Sequence, residues 1–277
     1  MSFVSARRLH LLLCAIFVAA ACRVAAAADV PAEALPSGTD VMDRIEHRAD
    51  PAQRTESLTI QLIEPDGTSR ERTARVFRAR KEGEVRILFV FDSPPNIRGT
   101  ALLIVDYDDP GRDDDRWIYL PALRKTRRIG AGERGQTFLG TDFTYEEIRN
   151  DARLKSSEMN LAVSAAGEHE GRPCIQSRLH VTSESYAHDL GYNDIDACVD
   201  RESWIPTTMK MFGADGKGVK SIELAKLSNV QGTWVPMHRE AVSAEGHRTV
   251  LETTAVDVVT SIPDDYFTED GLQRGGH

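Results

Sequence analysis

The chain has 277 residues, of which 41% are hydrophobic and 28% are charged, and its formal net charge is −9. This composition is typical of a folded globular protein and excludes an intrinsically disordered chain. The excess of acidic residues argues against nucleic acid as a partner and against tight adsorption to anionic membranes.

The first residues have the layout of a secretory signal. Arg7 and Arg8 precede an apolar run over 11–22, and the small residues up to Ala28 offer a cleavage site. We therefore expect export to the periplasm after cleavage near Ala28. An alternative is a lipoprotein anchored through Cys22, since three alanines precede this cysteine. The apolar run is too short to span a bilayer comfortably, and no later segment is apolar enough to cross one.

Removal of residues 1–28 takes away three arginines and no acid, so the net charge changes from −9 to −12. The remaining 249 residues suit one large all-β domain. Since no internal repeat and no long linker is present, we expect a signal peptide over 1–28 and a single domain over 29–277.

Alternation of apolar and polar residues predicts strands along most of this domain. After a short helix that begins at Thr39 or Asp40, Leu58, Ile60 and Leu62 alternate with polar residues. Later runs, such as 87–91, are apolar on both faces and predict strands covered on both sides. About ten or eleven strands and only three short helices predict a mainly β fold with one antiparallel sheet.

Motifs for catalysis and metal binding do not emerge. The acidic loop Asp106–Asp115 does not fit an EF-hand, because Pro110 and Trp117 occupy the fifth and twelfth positions. Gly130–Gly135 matches G-x-G-x-x-G but lies in no βαβ unit. The sequence contains no nucleophile elbow, zinc-binding helix or P-loop. We therefore predict a protein that is not an enzyme and has no cofactor.

Residues 117–147 carry the most characteristic pattern. An aromatic strand, W-I-Y-L-P-A-L-R-K, is followed by a basic stretch, a glycine-rich loop and F-L-G-T-D-F-T-Y-E-E, whose Thr141 or Asp142 would cap a short helix. From about Asp40 to the C-terminus, the chain resembles the LolA-like outer membrane lipoprotein-sorting proteins of Gram-negative bacteria. The resemblance implies an open, curved half-barrel whose short helices cover its concave face. It also implies a lipid or lipoprotein as cargo and an inner-membrane transporter of the RND/MMPL type as partner.

Cys174 and Cys198 are the two cysteines outside the predicted signal. Each lies in a strand-like segment, and the two segments would be neighbours in a meander, so we predict a disulfide between them. Closing this loop would stabilise the fold by about 3 kcal/mol in the chain-entropy model. Two buried free thiols are the alternative.

A strongly curved sheet leaves a concave apolar face that could enclose acyl chains. Methionine suits such a site because its side chain adapts to irregular shapes. Ordinary core packing is the alternative for every residue of the predicted lining, and sequence alone does not separate the two. The predicted lining residues are Leu58, Ile60, Leu62, Phe89, Phe91, Leu103, Val105, Met209, Met211 and Phe212.

Arg124, Lys125, Arg127 and Arg128 form a basic patch in an otherwise acidic protein. Such a patch could bind a lipid headgroup or an acidic partner surface. Alternatively, it is a solvated edge strand whose charge prevents edge-to-edge aggregation.

The sequence therefore predicts a monomeric periplasmic carrier that binds acyl chains of a lipid or lipoprotein and shuttles them toward the outer membrane. The alternative is a sensor or adaptor that binds the same ligand and regulates a membrane protein without transport.

Overall fold

A computed structural model describes residues 35–109, 111–150 and 154–275. The predicted signal peptide, its cleavage site and Cys22 lie outside these residues. None of the helices in the described part of the chain is long and apolar enough to span a bilayer.

Thirteen strands form the described part of the domain, with short helical segments between them. The strands are β1 Gln53–Ile63, β2 Ser69–Lys81, β3 Glu84–Ser93, β4 Ala101–Tyr107, β5 Asp115–Leu120, β6 Lys125–Arg128, β7 Met159–His169, β8 Arg172–Val181, β9 Asp194–Asp200, β10 Pro206–Phe212, β11 Gly218–Val230, β12 Thr233–Ser243 and β13 Arg248–Asp257. The α-helices are α1 Gly38–Glu46, α2 Tyr145–Asn150, α3 Glu184–Leu190 and α4 Glu269–Arg274, and 3-10 helices cover Pro121–Leu123, Ala131–Glu133 and Asp264–Phe267.

All thirteen strands belong to one antiparallel sheet that is not closed. Their order is β6-β5-β4-β3-β2-β1-β13-β12-β11-β10-β9-β8-β7. Two meanders, one built from β1 to β6 and the other from β7 to β13, are therefore joined where β1 pairs with β13. The predicted fold class, a mainly β open half-barrel, is confirmed, with thirteen strands in place of the ten or eleven expected.

The helix starts differ from those predicted. Ser37, rather than Thr39 or Asp40, caps α1, and its hydroxyl accepts a hydrogen bond from the Asp40 amide at 3.1 Å. Thr144, rather than Thr141 or Asp142, caps α2 through the Glu147 amide at 3.2 Å. Thr141 and Asp142 do not cap α2 because their side chains have other partners. The Thr141 hydroxyl donates to the Phe138 carbonyl, and the Asp142 carboxylate accepts a hydrogen bond from the Thr249 hydroxyl. The described residues contain four α-helices, one more than the three expected.

The two faces of the sheet carry separate hydrophobic clusters. On the inner face, strand residues such as Ile60 and Phe89 pack against α1, α2, α3 and residues 129–158. On the outer face of β2 to β5, Leu88 and Leu103 pack against the C-terminal segment, including Phe267. The doubly apolar runs seen in the sequence are explained by this arrangement, because both faces of these strands are covered.

Cys174 on β8 and Cys198 on β9 form the predicted disulfide, with Cα atoms 5.6 Å apart. The bond joins adjacent strands in which Gln176 is the register partner of Cys198. It closes a loop with a sequence separation of 24 that includes α3.

Candidate functional site

Residues 129–158, here called the crossing segment, connect the two edges of the sheet. They follow β6 at one edge and lead into β7 at the opposite edge. Because the strands between them belong to a single sheet, the segment has to pass across one face, and its residues Ile129, Phe138 and Leu154 join the inner-face cluster. It thus covers the inner face of the half-barrel.

A few polar contacts attach the crossing segment to the strands beneath it. The Asp142 amide donates to the Thr249 hydroxyl at 2.9 Å, and that hydroxyl donates to the Asp142 carboxylate at 2.7 Å. Lys220 Nζ donates to the Asp142 carbonyl at 3.1 Å and to Glu147 Oε2 at 2.7 Å. Arg72 adds a bond to a backbone carbonyl of the same segment at 2.7 Å. These contacts fix the segment over β11, β13 and β2.

An aromatic group fixes the middle of the segment to the sheet. The ring of Phe138 lies 5.0 Å from that of Phe89, 5.7 Å from that of Phe91 and 5.6 Å from that of Tyr145. Aromatic pairs at such separations add to the stability gained from burial. Phe138 is therefore a hydrophobic anchor for the cover.

A mainly apolar cavity of about 100 Å³ lies between the sheet and the crossing segment. Its walls come from both meanders of the sheet and from the cover. The lining residues are Arg54, Glu56, Leu58, Val76, Arg78, Ile87, Phe89, Phe143, Glu147, Ile148, Leu154, Tyr192, Ile195, Met209, Met211, Ile222, Leu224, Arg239 and Leu251.

Four of the predicted lining residues lie on the wall of this cavity. They are Leu58 on β1, Phe89 on β3, and Met209 and Met211 on β10. Ile60, Leu62 and Phe91 belong to the same inner-face cluster without lining the cavity. The structure thus brings together residues from strands that are distant in sequence.

The structure does not bring the other three predicted residues to the cavity. Leu103 packs in the outer-face cluster, and Val105 shares its face because side chains alternate along a strand. Phe212 comes one position after Met211 on β10, so it lies on the opposite face, where it stacks under the exposed Arg178, whose guanidinium carbon lies 5.4 Å from the ring centroid. The run 101–105 is apolar on both faces, so its periodicity could not show which side faces inward.

Five buried charged side chains lie at one end of the cavity. Arg54 Nε lies 2.8 Å from Glu56 Oε1, and Arg239 Nη2 lies 3.0 Å from Glu56 Oε2. Asp50 lies 3.5 Å from Arg54 Nη1 and 3.3 Å from Arg78 Nε. Buried charges are tolerated when they are paired in this way. The apolar cavity therefore has a charged end, formed by three arginines and two carboxylates.

Sequence reasoning missed these charged residues although a signal was available. Arg54 and Glu56 continue the alternation that begins with Leu58, so all three occupy the same face of β1. Arg78 likewise shares a face with Val76 on β2. Extending the two-residue alternation from Leu58 back through Glu56 and Arg54 would have placed these charged side chains on the inner face.

A second group of buried charges joins the crossing segment to the acidic hairpin. Arg149 is 1% exposed and lies 3.0 Å from Asp106 and 3.3 Å from Asp114. Glu146, also buried, accepts a hydrogen bond from Arg116 at 2.8 Å and another from the Tyr186 hydroxyl at 2.8 Å. Asp106 and Asp114 of this hairpin are thus ion-pair partners of Arg149. Among the described residues, no group of three or more His, Cys, Asp or Glu side chains could hold a metal ion.

Asp106 and Asp114 have opposite pKa shifts although they are neighbours. Burial raises the pKa of Asp106, but Arg149 and Lys155 outweigh burial and bring the pKa down to about 2. Burial raises the pKa of Asp114 to about 7, and the negative charge of Asp106 adds to this shift. One proton is therefore retained at Asp114 well above the usual range of a carboxyl group.

The predicted basic patch lies on β6 at the sheet edge, with Arg124 just before the strand. Arg127 pairs with Glu133 at 2.6 Å, and Arg128 pairs with Asp115. Arg124 and Lys125 have no ion-pair partner among the described residues. The side chain of Leu123 is 63% exposed beside them. Arg127 and Arg128 therefore form local ion pairs. The binding of a lipid headgroup or an acidic partner by the basic patch stays a prediction.

Solved structures with the same fold come from several bacteria. A domain described as an outer membrane lipoprotein-sorting protein from Vibrio parahaemolyticus has a TM-score of 0.77 and 20% identity, covering 86% of this chain and 98% of that one. A DUF1329 family protein from Desulfovibrio piger has a TM-score of 0.76 and 20% identity, covering 85% of this chain and 97% of that one. A LolA superfamily protein from Nitrosomonas europaea has a TM-score of 0.61 and 16% identity, covering 86% and 100%.

No curated protein matches the chain in sequence. A family model described as "Uncharacterized protein" matches residues 83–274, which is more than half of the chain. Together with the shared architecture, this confirms the resemblance seen in residues 117–147. The chain therefore belongs to this family, and its fold is the LolA-like fold of the outer membrane lipoprotein-sorting proteins.

Proposed function

We propose that the protein is a periplasmic carrier that encloses acyl chains of a lipid or lipoprotein and moves them toward the outer membrane. The observation that carries this proposal is the mainly apolar cavity beneath the crossing segment. In the proposed cycle, an inner-membrane transporter of the RND/MMPL type delivers the cargo, and no bond in the cargo is made or broken.

The composition of the cavity wall supports acyl chains as the ligand. Leu58, Phe89, Met209 and Met211 supply aliphatic and aromatic surface from three different strands. Burying such surface against hydrocarbon yields about 25 cal/mol for each Å² removed from water. The flexible methionine side chains adapt to chains of different length and unsaturation.

The small volume of the cavity supports a cover that moves. About 100 Å³ is well below the roughly 300 Å³ at the lower end of ordinary ligand sites. The crossing segment is attached by side-chain contacts such as that of Asp142 with Thr249, and apart from its two ends its described residues pair with no strand of the sheet. Outward movement of this segment would therefore enlarge the cavity without breaking the sheet.

The test is mass spectrometry of an organic extract of the mature protein, purified from the periplasm without detergent. A stoichiometric acyl species is expected. The variant Met209→Trp, which fills the cavity, should lose this species, whereas the control Phe212→Trp, on the same strand but away from the cavity, should keep it. An empty extract from folded native protein, together with no binding of added lipid or lipopeptide, would contradict the proposal.

Transfer separates a carrier from a sensor or adaptor. Protein loaded with a labelled lipid is mixed with acceptor vesicles, and the label in the vesicles is measured over time. A carrier releases its cargo to the vesicles, and the rate should fall when the crossing segment is held in place. Stable binding without release would contradict carriage and leave a binding protein that signals.

A further inference from the structure

Next to the apolar cavity lies a polar chamber of about 700 Å³. Arg78 and Leu154 line both spaces, so they form the boundary between them. The other charged walls of the chamber include Asp50, Arg80, Asp108 and Lys155. A narrow apolar space that borders a wide polar one matches the shape and polarity of an amphiphile, which has a hydrocarbon chain and a hydrated head.

Arg78 is the residue at this boundary with unused hydrogen-bonding capacity. Its side chain is 5% exposed, and its Nε donates to Asp50 Oδ2 at 3.3 Å. Among the residues that the structure describes, its buried Nη1 has no hydrogen-bond partner. A buried donor without an acceptor costs about 1 to 3 kcal/mol, and the cost rises when the group is charged. An oxygen supplied by a ligand would remove this cost.

We propose that the ligand is an amphiphile with an anionic head, whose carboxylate or phosphate oxygen accepts a hydrogen bond from Arg78 while its chain enters the apolar cavity. This inference rests on the proposed function and specifies the cargo. Anionic acceptors suit a guanidinium because charge-assisted hydrogen bonds are about twice as strong as neutral ones. The polar chamber receives the remainder of the head and keeps it hydrated.

The buried charge of Arg78 favours a free lipid over a lipoprotein. The lipid-modified cysteine of a lipoprotein carries ester, thioether and amide groups but no anion beside its acyl chains. It would therefore leave the charge of Arg78 without a counter-charge.

The experiment is isothermal titration calorimetry of delipidated protein with oleate and with oleyl alcohol, which share one chain and differ in the charge of the head. Oleate should bind at least about tenfold more tightly. Arg78→Gln should weaken oleate binding by about tenfold, so that oleate and oleyl alcohol bind with similar affinity. The matched control is Arg75→Gln on the same strand, since Arg75 points to the outer face and pairs with Asp92 at 2.9 Å. This control should keep the preference.

A second variant keeps the proposal testable if Arg78→Gln does not fold. Asp50→Asn removes the carboxylate beside Arg78, so it should increase the preference for oleate by about tenfold. Phosphatidylglycerol compared with diacylglycerol tests a phosphate head in the same way and distinguishes phospholipid from fatty acid.

The outcomes separate this inference from the proposed function. Equal binding of oleate and oleyl alcohol by the native protein, or a preserved preference in folded Arg78→Gln, would overturn the anionic head and leave acyl-chain binding intact. Tighter binding of a triacylated lipopeptide than of any anionic lipid would also overturn it. Failure of all these ligands to bind would instead remove the proposed function.

Discussion

Lys220 on β11 and Glu147 on α2 form an ion pair of 2.7 Å beneath the crossing segment, with side chains that are only 11% and 8% exposed. The pair joins the cover to the sheet at the wall of the cavity, since Glu147 is a lining residue. Glu147 Oε2 also accepts a hydrogen bond from the Thr144 amide at 2.8 Å. The Glu147 carboxylate thus both accepts a hydrogen bond at the N-terminus of α2 and holds this helix to the sheet.

We expect Lys220→Ala to lower the free energy of unfolding by about 3 to 5 kcal/mol, because it leaves Glu147 buried without its counter-charge. Urea denaturation measures the change. Lys217→Ala is the control, since Lys217 pairs with Asp215 in a solvent-exposed turn and should contribute less than about 1 kcal/mol. The double variant Lys220→Met with Glu147→Leu should recover most of the loss. An unchanged stability in Lys220→Ala would show that this pair does not hold the cover.

The glycines of the G-x-G-x-x-G stretch differ in what surrounds them. A Cβ atom added at Gly135 would lie 1.8 Å from the carbonyl oxygen of Asp189 at the end of α3, whereas one at Gly132 would meet nothing within 4 Å. Gly135→Ala should therefore separate the crossing segment from α3 and cost about 1 to 3 kcal/mol of stability. Gly132→Ala should leave the thermal unfolding midpoint nearly unchanged. Equal midpoints for the two variants would contradict this packing explanation.

Asp114 should make stability fall as the pH rises from acidic to neutral. The pKa of this buried carboxyl is about 7, above the ordinary 3.8, so the folded protein retains a proton that the unfolded chain has lost. The stabilisation that protonated Asp114 gives to the folded protein is complete below about pH 4 and is lost as the pH rises through about 7. The pKa of Asp106 is depressed to about 2, so the effect of this carboxyl has the opposite sign and is confined to more acidic solution. The stabilisation that the Asp106 carboxylate provides is lost as the pH falls through about 2.

The variant Asp114→Asn isolates this effect. Between about pH 5 and pH 8, the native protein should lose about 2 to 3 kcal/mol of stability through Asp114, whereas Asp114→Asn should lose much less. Urea denaturation at both pH values provides the measurement. The neighbouring Asp113 is 82% exposed, so Asp113→Asn should retain the native pH dependence. The same slope in the native protein and in Asp114→Asn would rule out a proton held at this site.

A crosslink between the cover and the sheet should block lipid uptake. Asp142 and Thr249 touch through their side chains at 2.7 Å, so Asp142→Cys with Thr249→Cys places two thiols at that contact. Oxidation should slow the binding of oleate by at least about tenfold, and mild reduction should restore it.

Thr73→Cys with Ser93→Cys is the matched control for this crosslink. It joins two paired strands at hydroxyls 2.7 Å apart and leaves the crossing segment free. This control should take up lipid at the native rate in both redox states. Rapid uptake by the oxidised Asp142–Thr249 crosslinked protein would exclude movement of the cover at this contact as the route of entry.

The strand pattern was predictable because β-structure leaves a two-residue period, as at Leu58, Ile60 and Leu62, and these residues do face inward. The disulfide was predictable because Cys174 and Cys198 lie in consecutive strand-like segments. Where both faces of a strand are covered, the alternation of apolar and polar residues is lost and no longer shows which side chains face inward. For this reason Leu103 was expected at the cavity, whereas it lies on the outer face.

The path of the crossing segment depends on contacts between distant residues, and local sequence does not encode them. Aspartate is a residue type that often caps helices, but the side chain of Asp142 pairs with Thr249, which is 107 positions away in the sequence. Arg78 has the appearance of a solvated strand residue until its neighbours Val76 and Leu154 are known. Its burial follows from the placement of the cover, and the charged end of the site therefore appears only in three dimensions.

The strand order also shows what the crossing segment is for. If this segment were cut and a short loop linked β13 to β1, the chain would run from β7 through β13 and on through β1 to β6, with every strand beside its predecessor. Such a circular permutant would be an uninterrupted up-and-down meander with the same sheet. Strand neighbours therefore do not depend on the long connection. Its length and its apolar side chains serve the space it spans, and a permutant from which it was removed would have no cover over the cavity.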